Sequence, residues 1–267
     1  MTAETWLKSA TLKLQIAGIP SAKLDAELIL AHTANLPRES LHAHLDRHLP
    51  SSAVTTANKL LSRREQREPL AYLTGHKEFY GRDFIVNRDV LIPRPESEEI
   101  IDIAKILAPT QATIVDVGTG SGCLGVTLKL ELPSAQVTLS DISERALKVA
   151  RRNAKNLAAA VKVQKSDLLK NLPQPVDIIV ANLPYLDKSW SVSPETRHEP
   201  PAALFASQSG EQPNRALLSA APAHLKKQGR LILEADPKSH ASLIDFAKSQ
   251  TPLRLLQKTN FILVFNL

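Results

Sequence analysis

Apolar positions recur at helical spacing over the first quarter of the chain. From Thr5 to Ala17, residues Trp6, Leu7, Ala10, Leu14 and Ala17 fall on one helical face, and Gly18-Ile19-Pro20 stops the run. Ser21 stands where an N-cap belongs, and Leu24, Leu28 and Ala31 predict the buried face of a second helix. A third helix is predicted over 52–67. No period-two alternation interrupts this stretch, so residues 1–75 read as a small helical domain.

The pattern changes after Glu78. Phe79-Tyr80-Gly81-Arg82-Asp83-Phe84-Ile85-Val86 is rich in aromatic and β-branched residues around a turn, which predicts a β-hairpin linker over 76–92. Pro93 and Pro95 keep Leu91–Glu96 extended, and a helix is predicted from Ser97 to Leu107. Short apolar runs then alternate with helical patterns. Strands are predicted at 113–117, 136–141, 161–164, 176–182 and 230–234. Helices are predicted after the glycines to Lys129, over 143–156 and over 214–227. A terminal hairpin, 253–258 and 261–266, turns at Thr259-Asn260. Alternation of this kind implies an α/β fold for residues 93–267, a doubly wound, Rossmann-like and largely parallel sheet.

Composition narrows the class only a little. The chain has 267 residues and a net charge of +6, a mild basic excess compatible with many soluble enzymes. Its single cysteine, Cys123, excludes an intrachain disulfide framework and suits a reducing compartment. No apolar run approaches the roughly 18–20 residues of a membrane helix. Residues 1–10 lack the charged-then-apolar pattern of a signal segment. A soluble, cytoplasmic protein is expected.

Chemistry concentrates at three strand ends. Gly118-Thr119-Gly120-Ser121-Gly122 joins the first strand of the second domain to its helix. Glycines there permit a sharp turn and close backbone approach, and the helix N-terminus offers free N–H groups. The spacing is G-x-G-x-G, which departs from the dinucleotide fingerprint and suits the carboxylate of S-adenosylmethionine. About twenty positions on, Asp141 ends the second strand, where a carboxylate accepts ribose hydroxyls. It is also placed to cap the helix near Ser143. Asp167 and Leu168 follow the third strand, positioned for the adenine amino group and ring. Asn182-Leu183-Pro184-Tyr185 closes the fourth strand. A planar amide or amino nitrogen has a delocalised lone pair, so its N–H groups must be held while the nitrogen faces the methyl group. The Asn182 side-chain carbonyl and the Leu183 main-chain carbonyl can accept both N–H groups, and Tyr185 offers a flat face. Methyl transfer from a sulfonium then needs mainly positioning and electrostatics. Asn182 to Tyr185 are thus the candidate catalytic and substrate-binding residues. Gly118 to Gly122, Asp141, Asp167, Leu168 and Asn182 are the candidate cofactor contacts.

With these residues in place, the chain resembles the peptide chain release factor glutamine methyltransferases, the HemK-type family, over nearly its whole length. The most specific pieces are Glu78-Phe79-Tyr80-Gly81 through Asn87 and Val90-Leu91-Ile92-Pro93-Arg94-Pro95-Glu96. Asp25-Ala26-Glu27, Arg197-His198-Glu199-Pro200 and Ala203-Leu204-Phe205 add to it. The resemblance implies a class I S-adenosylmethionine-dependent methyltransferase domain behind a substrate-docking helical domain. It implies methylation of the N5 side-chain nitrogen of the glutamine in the Gly-Gly-Gln motif of class 1 release factors. A monomer with no membrane and no direct nucleic-acid partner is expected. Two positions depart from the family pattern. Leu183 stands where N-P-P-Y has proline, leaving the segment biased to extended geometry by Pro184 but less rigid. Glu234-Ala235-Asp236-Pro237 replaces a segment with a glycine and a later glutamine, and is taken as structural variation of the last parallel strand.

No metal site is expected from His32, His42, His44 and His48, which suit a solvated helix face. Cys123 is expected to be a small packed residue, and Arg63-Arg64 and Lys226-Lys227 to be surface charges. The same N-x-P-Y chemistry would serve an adenine-N6 methyltransferase on DNA or RNA, or a ribosomal-protein glutamine methyltransferase. A binding protein weakened in turnover by Leu183 is the alternative from another class. Scarce aromatics and the absence of a separate recognition domain weigh against a nucleic-acid substrate.

Overall fold

The computed structural model describes residues 1–172, 175–207 and 209–267. It comprises two compact units, Met1–His76 with Val192–His198, and Lys77–Ser191 with Glu199–Leu267.

The first unit is helical: α1 (Ala3–Ile16), α2 (Ala22–Ala34), α3 (Arg38–Ala43), α4 (Ser51–Glu65) and α5 (Leu70–Thr74). The Thr2 hydroxyl caps α1 by accepting from Thr5 N. Trp6 and Leu14 of α1 pack with Ile29 and Leu30 of α2 and Leu61 of α4. The buried face of α2 differs from the predicted one. Leu24 is exposed and Leu28 half-buried, while Ala31 is buried as predicted, together with Ala22, Ala26, Ile29 and Leu30. Ser21 holds the N-cap position, but its side chain makes no cap bond. Helices α3 and α5 were not predicted, because five or six residues are too few for a helical period to register.

Arg64 is not a surface charge, since it is 5% exposed. Its Nε donates to Asp25 Oδ2 at 2.7 Å, and Nη1 and Nη2 both donate to Glu195 Oε1 at 3.1 Å. Arg67 Nη2 donates to the other oxygen of Glu195 at 2.9 Å. Arg63 is half-exposed and pairs with the buried Glu68. Asp25 is buried on the core side of α2 only because Arg64 meets it there.

After the helices come β1 (His76–Phe79), which begins at the last residue of the Met1–His76 stretch, and β2 (Arg82–Ile85). Their two-residue turn, Tyr80-Gly81, has φ of 53° and 70°, the paired positive values that tight hairpins use. Then follow α6 (Glu98–Leu107), β3 (Thr113–Val117), α7 (Cys123–Glu131), β4 (Gln136–Asp141), α8 (Glu144–Asn156), β5 (Lys162–Lys165) and β6 (Val176–Asn182). After these come α9 (Pro201–Leu204), α10 (Gln212–Ala220), β7 (Leu225–Glu234), α11 (His240–Gln250), β8 (Arg254–Lys258) and β9 (Ile262–Asn266). The seven-stranded sheet has the order β5-β4-β3-β6-β7-β9-β8. Strands β3 to β7 run parallel, and β9 is antiparallel to both β7 and β8, giving the expected terminal hairpin.

The helix predicted to reach Lys227 ends at Ala220. A 3-10 turn over Ala221–Ala223 contains Pro222, which cannot continue the helical ladder, and β7 starts at Leu225. Alternation along the strands divides the core. Ile114, Ile178, Val180 and Ile232 face α6 and α7, whereas Val115, Ile179, Leu231 and Leu233 face α10 and α11. Asp116, Asn182 and Glu234 share the parity of the first set, so three polar side chains end adjacent strands on one face. No helix among the described residues is long and apolar enough to cross a membrane.

Replacing Arg64 by alanine leaves the Asp25 carboxylate buried without its cation. Urea unfolding of R64A is expected to show a loss of about 3–5 kcal/mol relative to wild type. A loss within the range of an exposed-pair deletion, about 0–1 kcal/mol, would contradict a supporting role for this network.

Candidate active site

Strand β3 has neighbours on both sides that follow it in the chain, so the sequence order reverses there. The carboxyl edge at such a switch point is where ligands of open sheets bind. The loop leaving β3 has positive φ at Gly118 (71°), Gly120 (55°) and Gly122 (85°). At Gly118 the requirement is also spatial. An added Cβ would lie 2.7 Å from Leu183 Cδ2, so the side chain that replaces a proline packs directly on the glycine loop.

The loop is tied down from beneath. Asp116 Oδ2 accepts from Thr119 Oγ1 at 2.5 Å and from Gly125 N at 2.9 Å. Burial pushes the Asp116 carboxyl up to about 6, against the pull of those two donors. Its Oδ1 is buried with no partner among the described residues. Asn153 Nδ2 donates to Ser121 O at 2.8 Å and to Ile85 O at 2.9 Å, joining the loop to the hairpin. Asp141 Oδ2 accepts from Gly120 N at 3.0 Å and Oδ1 from Ser143 N at 2.8 Å. Asp141 therefore braces the loop and the start of α8 together, while Ser143 caps that helix by accepting from Ala146 N. Burial raises the Asp141 pKa, with these backbone donors opposing.

A cavity of about 350 Å³ opens above the edge, within the usual size of ligand pockets. Gly118, Thr119, Gly120, Ser121, Asp141, Asp167, Leu168, Asn182, Leu183 and Pro184 all line it. Of the residues singled out in the sequence, Gly122 and Tyr185 are not in its lining. Gly122 instead lets α7 start against Ala150 and Leu139, where an added Cβ would be 3.2–3.4 Å away. The Asp167 carboxylate is half-exposed and paired with Lys170 Nζ at 2.6 Å. Leu168 has φ of 49°, a conformation uncommon outside glycine. Ile142, which the sequence reading passed over, is 65% exposed beside Asp141 and offers an apolar face to the cavity. Cys123 also lines the cavity. Burial pushes its thiol up to about 12, the reverse of an activated thiolate.

Beyond Asn182 a polar chain runs into the protein. Asn182 Nδ2 donates to Ser97 Oγ at 2.9 Å, and Ser97 Oγ donates to Glu234 Oε2 at 2.6 Å. The Tyr185 hydroxyl donates to Glu234 Oε1 at 3.3 Å. Burial and the nearby Glu234 charge raise the Tyr185 pKa. Glu199, also buried, accepts from Ile92 N at 3.0 Å and from Arg94 Nη2 at 2.5 Å, which fixes the P-R-P-E segment on the cavity wall. The reading of Glu234 as mere strand variation is thus corrected, because its side chain accepts from Tyr185 directly and is linked to Asn182 through Ser97. The available signal was a lone charge ending the run Leu231-Ile232-Leu233. Ser97 had none, since it reads as the first residue of the predicted helix. Among the described residues no three His, Cys, Asp or Glu side chains group to hold a metal, and His42 stands 3.2 Å from Glu27.

The donor set fits a nucleoside sulfonium. It combines backbone N–H groups at a helix start, a carboxylate at the next strand end and apolar faces at Ile142 and Leu168. Residues 5–75 match the family model described as PrmC N-terminal domain, and residues 101–199 the one described as Methyltransferase small domain. The chain is 39% identical over 255 residues to the release factor glutamine methyltransferase of Cereibacter sphaeroides, spanning 92% of this chain and 91% of that protein. It is 38% identical to the protein of that name from Koribacter versatilis, spanning 89% of each. The chain belongs to the release factor glutamine methyltransferase family.

A bifunctional methyltransferase of Rickettsia felis is 37% identical over 85% of this chain, which spans 50% of that longer protein. Among solved structures, a Pyrococcus furiosus methyltransferase aligns with a TM-score of 0.57 at 20% identity, over 77% of this chain and 98% of its own. A Thermus thermophilus 16S rRNA methyltransferase in complex with AdoMet and guanosine aligns with a TM-score of 0.52 at 17% identity, over 72% of this chain and 49% of its own. At these identities the likeness is one of fold, and it places the family's second unit among class I methyltransferase folds.

Asp116 yields a pH prediction. Its folded value of about 6 lies above the ordinary carboxylate range, so ionisation costs the native state. The stability it contributes is complete below about pH 4 and is lost as pH rises through about 6, on the order of 3 kcal/mol. Asp116→Asn is expected to remove that loss when ligand-free unfolding free energies are compared from about pH 4 to about pH 8. Parallel wild-type and variant curves would contradict it.

Proposed function

We propose that this chain transfers a methyl group from S-adenosylmethionine to the N5 side-chain nitrogen of the glutamine in the Gly-Gly-Gln motif of class 1 peptide chain release factors. The observation that carries the reading is one cavity lined both by the glycine loop and by Asn182, Leu183 and Pro184. The family membership supports the choice of a protein glutamine over a nucleobase.

In this reading the cofactor, when bound, supplies a methyl group activated by its sulfonium. Gly118 to Ser121 and the start of α7 take its amino-acid end, Asp141 the ribose, and Ile142 and Leu168 the adenine. Asn182 Oδ1 and the Leu183 carbonyl accept the two N–H groups of the substrate amide, which turns the nitrogen toward the methyl carbon. The cofactor would supply the methyl group and leave as a neutral thioether, and the substrate nitrogen held by Asn182 and Leu183 would lose one proton to solvent water. The chain's contribution is alignment of the amide with the methyl group rather than strong base catalysis. The helical unit serves as a docking surface for the release factor.

Labelled S-adenosylmethionine offered with a class 1 release factor, a ribosomal fraction or DNA tests the assignment. Label is expected on the release factor and is expected to vanish when the motif glutamine is replaced. Label confined to DNA or to a ribosomal protein would reject the reading, and cofactor binding without transfer would point to a binding protein. Asn182→Ala is expected to lower turnover by on the order of a hundredfold or more with an unchanged unfolding midpoint. Near-normal turnover in N182A would remove Asn182 from the mechanism.

A further inference from the structure

An asparagine amide has the same outline either way round, but the two orientations present opposite polarity. In the assignment above, Asn182 works only with Oδ1 toward the substrate. With Nδ2 there instead, two donors would face each other, and a buried polar group would go unpaired. Nothing in the amide itself selects the productive orientation.

The selection comes from behind it. Glu234 is fully buried at the end of β7, directly opposite Asn182 in the strand register. An ionised carboxylate only accepts hydrogen bonds. The Ser97 hydroxyl, 2.6 Å from Glu234 Oε2, must therefore spend its single proton there. Ser97 Oγ then offers only lone pairs to Asn182, and Nδ2 is the end that meets it, at 2.9 Å. Ser97 is free for this duty because its side chain makes no cap bond to α6. The Tyr185 hydroxyl takes the other carboxylate oxygen, so Glu234 is held from two sides. We infer that Glu234, acting through Ser97, is a positioning residue that fixes the polarity of the Asn182 amide and so leaves its carbonyl to the substrate nitrogen. The inference rests on the proposed role of Asn182.

Protonating Glu234 undoes the selection. A neutral carboxyl can donate to Ser97, which frees the Ser97 proton for Asn182 Oδ1 and permits the flipped amide. Arg94 and Glu96 face Glu234 from the turn before α6, Tyr185 from the loop after β6 and Cys123 from the start of α7. Burial dominates their combined influence and pushes the Glu234 carboxyl up to about 7, so the charge state changes near neutrality.

The test compares full-length wild type with Glu234→Gln, Ser97→Ala and Ser97→Thr, assayed on a release factor at saturating cofactor and substrate from about pH 6 to about pH 9. Wild-type kcat is expected to fall as pH drops through about 7, and E234Q to be at least about tenfold slower without that acid limb. S97A is expected to be slowed similarly, and S97T, which keeps the hydroxyl, to stay within about threefold of wild type. Cofactor affinity by calorimetry is expected to change by less than about twofold in all three variants. Wild-type rates in both E234Q and S97A would overturn the inference. A second readout needs no substrate. The side-chain amide resonance of Asn182 is expected to show one slowly exchanging proton at high pH that is lost in S97A and E234Q. That signal still decides the role of Glu234 if the release factor proves not to be the substrate, and an unchanged signal in both variants would also overturn it.

Discussion

Strand β6 lies between β3 and β7 in parallel register, with Val117 opposite Ala181 and Asn182 opposite Glu234. Because side chains alternate across a strand, this register sends Asp116, Asn182 and Glu234 to the face that packs against α6 and α7. A slip of one residue would turn Asn182 into the apolar layer under α10 and α11 and bring Leu183 to the polar face. The apolar partners of the three strands make such a slip costly. Ile178 and Val180 on one face, and Ile179 and Ala181 on the other, are all fully buried. The core therefore positions the site, and the polar groups do not need to.

What the polar groups contribute is polarity and hold. Asp116 anchors the glycine loop, Asp141 spans from that loop to α8, Glu199 fixes the P-R-P-E segment, and Glu234 commands Ser97 and Tyr185. Three of these carboxyls, at Asp116, Asp141 and Glu234, are raised by burial, so each is a cost to the folded state that packing must offset. Clustering of such groups at one strand edge is the mark of a site, because a core built for stability alone would use apolar residues there. Leu183 fits the same frame. It gives up the rigidity of a proline pair, yet its side chain is buried against Gly118, so contact replaces ring constraint at the junction of the two candidate subsites.

The alternation of strands and helices, the hairpin and the glycine loop were legible because each depends on residues close together in the chain. The same holds for Asn182 to Tyr185, a contiguous segment at a strand end. The supporting groups were not legible because their meaning comes from distant partners. Ser97 and Glu234 are 137 positions apart, and Arg64 finds Glu195 at a separation of 131. In sequence Arg64 is half of an arginine pair, Ser97 the first residue of a predicted helix and Glu234 an oddity. Leu24 and Leu28 misled in the opposite direction. Buried Asp25 and Glu27, each neutralised by a cation, occupy positions on α2 that a purely apolar face would have filled.

Fragmentation mass spectrometry of a release factor after incubation with this protein and S-adenosylmethionine locates the transferred methyl group. One added methyl group is expected, located on the side-chain amide of the Gly-Gly-Gln glutamine. A methyl group located on any other residue, or a release factor left unmodified while the protein methylates another macromolecule, would contradict it.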